Sequence, residues 1–538
     1  MMNPSKRGII FGNSWTLFKK MPVLRFLIPF ISGLLFSEYF TGNDYHEIFL
    51  ISLIPLAIGM WFTLKTTFSK RHFFGVFLQL FLLLAGFELC LLSKERPWAT
   101  HFEHEIKKEK YLVELISGAQ EKPKSFKFKA EVKAIFDGTK WKNATGKITL
   151  YLSKKNYKDS LLYGDQIIFS DTPEEILLEK DKSYTALSHH RQVFYRMFVR
   201  HYEKVKVSEP EFSLFGLAIA CRKWVASVLM QQFNYTKEAA IAVALIVGDE
   251  IPIDQELSTA YAATGTLHVL AVSGMHVGLI YFLLGFLLKP LLKSKYGKHL
   301  YYPLVILLVW AYAMIAGAAP SIVRAATMCT FHMLATWLDK KNEGIGALGA
   351  SLFFILMVNP FNLYEPGLQL SFFAVLGIIW LQRPILKIWI PQNKWMFKVW
   401  ELSSVSIAAQ IMTLPVSLLY FGQFPNYFII ANLIVIPITT ITIYSCLIQL
   451  LFTAIPFVLP YIVLFNQSML SFSNYLVMHM QHLPGAVSTW KVGLGEMIFL
   501  YAYIIVIIQW CQTKKFNFIL QLLSLIVLFS SLKLFQII

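Results

Sequence analysis

Long apolar runs recur along this chain at close to the length that an α-helix needs to cross the ~30 Å hydrocarbon core of a bilayer. Of the 538 residues 56% are hydrophobic and only 15% are charged, which leaves too little polar surface for a soluble protein. Because proline and glycine interrupt several runs, we expect about 11–13 spans. The sequence therefore predicts a polytopic α-helical membrane protein, with runs near 24–40, 46–64, 72–92, 269–288, 303–318, 322–338, 345–358, 368–381, 403–420, 427–450, 457–477, 494–511 and 517–536.

The basic loops predict one orientation for these spans. The formal net charge is +17, and lysine and arginine concentrate in alternate loops, as cytoplasmic loops do. The basic N-terminal segment has no small-residue cleavage site, so we expect it to precede a first anchor and to lie in the cytoplasm. The other loops predicted to be cytoplasmic lie at 65–72, 289–298, 340–341, 383–398 and 514–515. The predicted location is the cytoplasmic (inner) membrane, with residues 94–205 outside the cytoplasm.

Residues 94–205 form the one long hydrophilic region, and it has the pattern of a β domain. Alternating apolar and polar residues predict strands at 126–136, 146–153 and 164–170. A region of this size with several short strands favours a small barrel of the OB type. Lysines interleaved with aromatic residues on a sheet face are typical of proteins that hold single-stranded nucleic acid. A solvated strand face with the aromatic residues in the barrel core explains the pattern equally well. The candidate DNA-binding residues are Lys122, Lys124, Lys127, Lys129, Lys133 and Lys147.

The composition along the chain divides it into five parts. Residues 1–93 are a three-span region and 94–205 are the extracytoplasmic β domain. Residues 206–250 carry two helices: the first, near 212–233, has the amphipathic pattern of a helix in the membrane interface, and the second ends at Gly248. Residues 251–480 are the main membrane domain, and 481–538 are further membrane helices.

A polar sequence at 265–278 opens one of the apolar runs and holds two histidines and a serine. Ionisable groups at membrane depth are costly, so they usually line a path or meet a partner. The five cysteines lie at or within apolar segments, no zinc-type spacing of cysteine and histidine occurs, and there is no Walker A loop. We therefore expect no cofactor and no metal site.

Several of these sequences resemble the ComEC family of competence DNA-uptake channels. The most specific is residues 265–278, GTLHVLAVSGMHVG, preceded by ALIVGD at 244–249. The order of three N-terminal spans and an exported β domain also matches that family. Weaker matches follow in the family's order: GAAPSIVRA at 317–325, Asn359-Pro360, GLQLSFFAVLG at 367–377, Leu414-Pro415, Phe421-Gly422 and NLIVIP at 432–437.

The resemblance implies a channel that passes incoming single-stranded DNA across the cytoplasmic membrane during natural transformation. Many members of the family carry a C-terminal metallo-β-lactamase-like nuclease domain. The pattern of such a domain is not found in this sequence, so we expect a short, non-enzymatic form. The expected partners are single-stranded DNA, the lipid bilayer, a separate DNA receptor, a nuclease and a cytoplasmic ATPase that pulls DNA, and the oligomeric state stays open.

A polyanion crossing a bilayer needs a polar path walled by protein. Ser273 and Gly274 are expected to break a helix and expose backbone amides, as in transporter helices. Donors to phosphate are expected from His268 and His276, which can also change charge near neutral pH. Arg324 provides a fixed charge unless it extends to the interface, and Gln369 either lines the path or bonds to another helix. The candidate path residues are Asp249, His268, Ser273, Gly274, His276, Arg324 and Gln369.

Two other functions stay open from the sequence. The first is a membrane-embedded hydrolase with Ser273 as nucleophile and a histidine as base. The second is a transporter of another anionic polymer, which would need coupling carboxylates within its spans. A receptor that only binds is less consistent with a dozen spans, because tethering a β domain takes a single one.

Overall fold

The computed structural model describes most of the chain. The described residues are 22–39, 54–55, 57–58, 72–94, 100–105, 110–118, 120–121, 124–154, 161, 164–176, 188, 190–205, 214–248, 254–270, 272–339, 344–513, 520–521 and 523–524. The predicted spans at 46–64 and 517–536 lie almost wholly outside these residues, as do the candidate site residues Asp249 and Lys122.

A nine-stranded sheet occupies the region predicted to be β-rich. The three predicted strands are present with nearly the predicted bounds, and additional strands extend the sheet. Its order is β7-β8-β5-β3-β1-β6-β9, with β2 and β4 also paired to β3. The described strands do not close on themselves, so the β domain is confirmed while its closure into a barrel stays a prediction. The strands are β1 Lys110–Leu115, β2 Gln120–Glu121, β3 Ser125–Phe136, β4 Trp141–Asn143, β5 Lys147–Ser153, β6 Gln166–Phe169, β7 Glu174–Glu175, β8 Val193–Val199 and β9 Glu203–Val205.

The rest of the described chain is almost entirely helical. Eight of the described helices are long and apolar enough to cross a membrane, namely α2, α3, α6, α7, α10, α11, α12 and α14, and α9 is a shorter apolar helix. This architecture is compatible with a polytopic membrane protein. The helices are α1 Pro22–Phe36, α2 His72–Leu92, α3 Leu214–Gln232, α4 Lys237–Val247, α5 Gln255–Ala263, α6 Gly274–Leu288, α7 Gly297–Ile315, α8 Pro320–Trp337, α9 Gly344–Val358, α10 Pro366–Leu386, α11 Lys394–Phe421, α12 Phe428–Leu451, α13 Leu459–Met480 and α14 Leu494–Thr513.

Contacts between loops agree with the alternating topology. Two short strands, β10 Gln423–Pro425 and β11 Val487–Thr489, pair with each other, so the loops before α12 and after α13 share one side. Lys298, near the start of α7, contacts Asp339 just after α8 (2.7 Å). The start of α7 and the end of α8 therefore lie on the same side of the bundle. On the side of the β domain, Arg191 donates two hydrogen bonds to Glu365, the residue before α10 (2.6 and 2.8 Å). The β domain is therefore seated beside the start of α10.

The segment between α3 and α6 is broken into short helices. α3 is one of the helices long enough to cross a membrane and packs along α4 and α7, whereas the sequence predicts that it lies in the interface. α4 has 11 residues, all buried from Ala239 to Val247, and is about 16 Å long, half of the ~30 Å hydrocarbon core. It ends at Gly248, whose φ of 66° is the left-handed conformation that glycine adopts most easily. Gly248 lies beside Arg222, midway along α3.

Candidate functional site

A helix break lies at Ser273, as the sequence predicts, but the amides of Ser273 and Met275 are capped by side chains and not exposed as expected. The backbone of Ser273 is extended (φ −118°, ψ 174°), and α6 begins at Gly274. The Ser273 hydroxyl accepts a hydrogen bond from the Met275 amide (3.3 Å), and Nδ1 of His276 accepts one from the Ser273 amide (2.7 Å). This reciprocal arrangement caps the helix through the side chains of Ser273 and His276.

His276 is completely buried, and one of its ring nitrogens lacks a partner. Because Nδ1 accepts a hydrogen bond, the neutral ring carries its hydrogen on Nε2. In the part of the chain that the structure describes, Nε2 has no hydrogen-bond partner and no accessible surface. A buried donor of this kind costs free energy unless water or a ligand satisfies it. The ring therefore offers an unused donor beside the start of α6.

Arg324, in the second turn of α8, is buried within the helical bundle with 1% of its surface exposed. Its guanidinium donates to the carbonyl oxygens of Gly367 (3.1 Å) and Ser321 (3.3 Å), and it lies over the ring of Phe372 at 5.9 Å. The guanidinium is therefore enclosed by protein and does not extend to the surface of the described bundle. Within the described residues Arg324 has no carboxylate partner, so backbone carbonyl dipoles and the Phe372 ring are what balance its charge.

The N-termini of three helices meet at this arginine. Ser321 and Gly367, whose carbonyl oxygens hold the guanidinium, belong to the first turns of α8 and α10. The first residue of α6, Gly274, is packed so closely that a Cβ there would lie 3.3 Å from the Cβ of Ala325 and 3.8 Å from Nη2 of Arg324. Helix N-termini carry partial positive charge. Three of them around a buried guanidinium make a centre that attracts anions.

The end of α4 joins the same centre. Gly248 packs against Val272, and a Cβ there would lie 3.1 Å from Cγ2 of Val272 and from the carbonyl oxygen of Ala316. Arg222 donates to the Gly248 carbonyl and lies against Gly317, which leaves no room for a side chain at that glycine. We call the set Arg222, Gly248, Ser273, Gly274, His276, Gly317 and Arg324 the polar junction.

The sequence did not assign Arg222, Gly248 or Gly317 to the path. Arg222 lies within 212–233, which the sequence predicts to be an interfacial helix, because spacing alone does not show which helix a side chain meets. Gly317 is the first residue of the sequence GAAPSIVRA at 317–325, and its φ of 87° explains why glycine is needed at the turn between α7 and α8. Two successive residues with positive φ, Gly317 and Ala318, are the local feature that bends the chain there.

His268 lies outside the junction, in a short 3-10 turn at Leu267–Val269. Its side chain is exposed, and Nδ1 contacts the carbonyl oxygen of Gly265 (3.1 Å). Surrounding protein nevertheless desolvates the ring and lowers the pKa of His268 below its ordinary value.

Gln369 is placed away from the junction's centre. Its amide donates to the carbonyl oxygen of Leu363 (2.8 Å) and so stabilises the turn before α10. That contact favours a local structural role over a position on the path.

The candidate lysines differ in their surroundings. Lys133 contacts Glu131 (2.8 Å) and Glu114 (3.4 Å), and the hydrogen bond to Glu131 raises the pKa of Lys133. Lys147 lies opposite Glu131 in the register of β3 and β5. Carboxylates therefore offset the charge at this end of the sheet. Lys124 and Lys129 are exposed, and Lys127 is half-buried and lies opposite Tyr151.

The junction has the beginnings of a nucleophile–base pair but not its usual geometry. Ser273 Oγ lies 3.3 Å from Nδ1 of His276, within hydrogen-bond reach. The lone pair of Nδ1 already accepts the shorter bond from the Ser273 amide, so it is not poised to take a proton from the hydroxyl. Among the described residues no group of three or more cysteine, histidine or acidic side chains is arranged to hold a metal ion.

Comparison with known proteins identifies the family. A family model described as Competence protein matches residues 245–515, which includes the junction apart from Arg222. The chain belongs to the competence protein family. ComE operon protein 3 of Bacillus subtilis (strain 168) is 32% identical over 203 residues, 38% of this chain. Recombination protein 2 of Haemophilus influenzae is 24% identical over 230 residues, 40% of this chain.

A third relative, the uncharacterized protein YcaI of Escherichia coli (strain K12), is 26% identical over 216 residues, 37% of this chain. The matches span 25%, 28% and 27% of the B. subtilis, H. influenzae and E. coli proteins, so the chain spans about a quarter of the length of these three relatives. No solved structure matches the chain.

Proposed function

We propose that this competence-family protein conducts single-stranded DNA across the cytoplasmic membrane during natural transformation, with the polar junction as the narrowest part of the path. The observation that carries the proposal is the burial of Arg324 among three helix N-termini, inside a bundle of apolar helices. Such a centre is costly in a purely structural bundle and is suited to a phosphate chain. The family description, Competence protein, and the name of the H. influenzae relative, Recombination protein 2, support a DNA substrate.

The broken helices fit the same function. α4 ends midway along α3, and Gly248 at that end packs against Val272, just before α6, so the junction connects this break to the N-terminal ends of α6, α8 and α10. Backbone that is not helical is tolerated at membrane depth where it is buried in protein or lines a polar cavity. His276 Nε2 supplies one unused donor toward a passing phosphate oxygen.

The junction is closed in this conformation. Arg324 and His276 are buried, and Gly274 packs against Ala325. Passage of a strand therefore requires α6 to separate from α8, which would uncover the side of the guanidinium that Gly274 now covers and let it meet phosphate. We propose that the β domain, on the extracytoplasmic side, holds the strand above this opening. It is seated there by the Arg191–Glu365 pair, two residues from Gly367.

Other components complete the proposed pathway. A DNA receptor delivers the substrate, a nuclease supplies the single strand, and a cytoplasmic ATPase pulls it inward. The polar junction acts without covalent chemistry in this proposal. A cofactor has no part in it.

A deletion strain tests the function. We expect labelled transforming DNA to reach the outer face of the cytoplasmic membrane normally and to be lost from the cytoplasm, with restoration by the full-length chain. The measurement is the amount of nuclease-protected label in the cytoplasmic fraction. Normal accumulation there in the deletion strain would rule out the channel.

A further inference from the structure

We propose that Tyr151 and Phe198, flanked by Lys127, Lys129 and Arg196, form a platform on which the β domain stacks unpaired bases. The proposal rests on the proposed function for its substrate and names the part of the domain that selects single strands. Phe198 and Arg196 lie on β8, a strand that the sequence did not predict.

The register of three strands brings these residues onto one face of the sheet. Lys127 on β3 lies opposite Tyr151 on β5, and Tyr151 lies opposite Phe198 on β8. The next row contains Lys129, Thr149 and Arg196. Since alternate residues of a strand point to opposite faces, all six lie on the same face, with the two rows about 7 Å apart.

The opposite face of the same strands is the domain core. Phe128, Leu150 and Met197 alternate with the platform residues and have no exposed surface. The aromatic side chains of the platform are therefore not needed to fill the core, whereas Phe128 lies in the core as the alternative explanation predicts.

The rings of Tyr151 and Phe198 already stack on each other, and a base would extend that stack on the side of Phe198 away from Tyr151. The rings of Tyr151 and Phe198 are 5.1 Å apart at an interplanar angle of 20°. The guanidinium of Arg196 lies 5.5 Å from the Phe198 ring, and 48% of the Phe198 surface is exposed. Aromatic rings bind bases through their π faces without sequence preference, while nearby cations hold the phosphates. Glu174, which contacts Arg196 at 3.4 Å, limits the positive charge at this edge.

This arrangement predicts a preference for single strands. In a duplex the faces of the bases are covered by neighbouring base pairs and cannot reach Phe198. A duplex would meet only the charges of Lys127, Lys129 and Arg196. The platform therefore selects single strands over duplex DNA at the entrance, which positive charge alone does not do.

The test measures binding of a fluorescent oligonucleotide to the purified full-length protein in nanodiscs of neutral lipid. We expect Phe198→Ala and Phe198→Leu to weaken single-strand binding about tenfold, since stacking on an aromatic side chain is lost in both. Phe198→Tyr should bind normally, and duplex binding should change little in all three. The double variant Lys127→Gln with Lys129→Gln should instead reduce the slope of log affinity against log salt concentration, by about 0.7 for each phosphate contact that is lost.

Trp141→Ala is the matched control. Trp141 is exposed to a similar extent, 43%, and packs on Phe136 at the far end of β3, about 30 Å along the strand from Lys127. It should bind single strands normally. Unchanged affinity in Phe198→Ala, or an equal loss for duplex and single strand, would overturn the platform. If the platform is overturned but DNA entry still depends on Arg324, the channel stands without the platform. If the platform binds single strands but a strain that lacks the protein still takes up DNA, the channel fails and the platform stands.

Discussion

Replacing Gly274 with leucine should abolish DNA uptake while leaving the protein inserted in the membrane. A Cβ at this position would already lie 3.3 Å from Ala325 and close to Arg324, so the larger side chain fixes α6 and α8 in contact or forces them out of register. Overpacking of this kind costs about 1–3 kcal/mol. An added barrier of about 2.7 kcal/mol slows a step about 100-fold. We expect transformation frequency to fall at least that far at matched protein abundance.

Gly278→Leu is the control for bulk on the same helix. It lies one turn later on α6, and a Cβ there would have nothing within 4 Å. Transformation by this variant should stay close to normal. An equal loss in Gly278→Leu would show that α6 tolerates no added bulk anywhere, and near-normal uptake in Gly274→Leu would remove the junction from the path.

Ser273→Ala separates the channel from the hydrolase in the same assay. The substitution removes the cap to Met275, worth about 1 kcal/mol, while the His276 bond to the Ser273 backbone remains. We expect a loss of only about fivefold. A nucleophile would be indispensable, so complete loss here with normal uptake in Gly274→Leu would favour the hydrolase.

Arg324→Gln should have the second large effect on DNA uptake. The substitution keeps a polar side chain near the carbonyl oxygens of Ser321 and Gly367 but removes the charge at the meeting point of three helix N-termini. If this charge attracts phosphate, uptake should fall by about two orders of magnitude, the effect of about 2.7 kcal/mol on the rate-limiting step. Arg324→Lys keeps the charge without the planar fork, so it should retain a measurable part of the uptake.

Arg383→Gln is the control for loss of an arginine on a membrane helix. Arg383 is exposed near the end of α10 and should be dispensable. The readouts are transformation frequency, membrane abundance and thermal unfolding of the purified variants. Equal loss of uptake in Arg324→Gln and Arg324→Lys, with both proteins unfolding at lower temperature, would show that Arg324 braces the helices and does not serve the path.

Much of the helical architecture follows from the sequence because hydrophobic length is a strong signal in a membrane protein. The predicted span 72–92 coincides with α2 His72–Leu92, and the predicted span 322–338 lies within two residues of α8 Pro320–Trp337. The break at Ser273-Gly274 was also predictable, since a serine and glycine at the start of an apolar run favour a helix cap. α5 Gln255–Ala263 was missed because its polar residues obscure the apolar pattern.

Long-range pairing is what the sequence could not supply. β8 pairs in parallel with β5, more than 40 residues earlier in the chain, and no local pattern marks that contact. The same limit applies to Arg222 and Arg324. Arg324 is buried and Arg222 is half-buried because of the helix ends that meet them, so spacing alone could not distinguish a junction residue from one at the membrane surface.

The most direct measurement of the central claim is contact between DNA in transit and the junction. A photoreactive benzoylphenylalanine at Tyr312, whose hydroxyl donates to the Ile246 carbonyl two residues before Gly248, places the probe beside the path. The same group at Phe282, which is 71% exposed on the outer surface of α6, is the control. Illumination during uptake of labelled DNA should give a protein–DNA adduct from position 312 and none from position 282. No adduct at position 312 while uptake proceeds, or equal adducts at both positions, would contradict a strand passing through the polar junction.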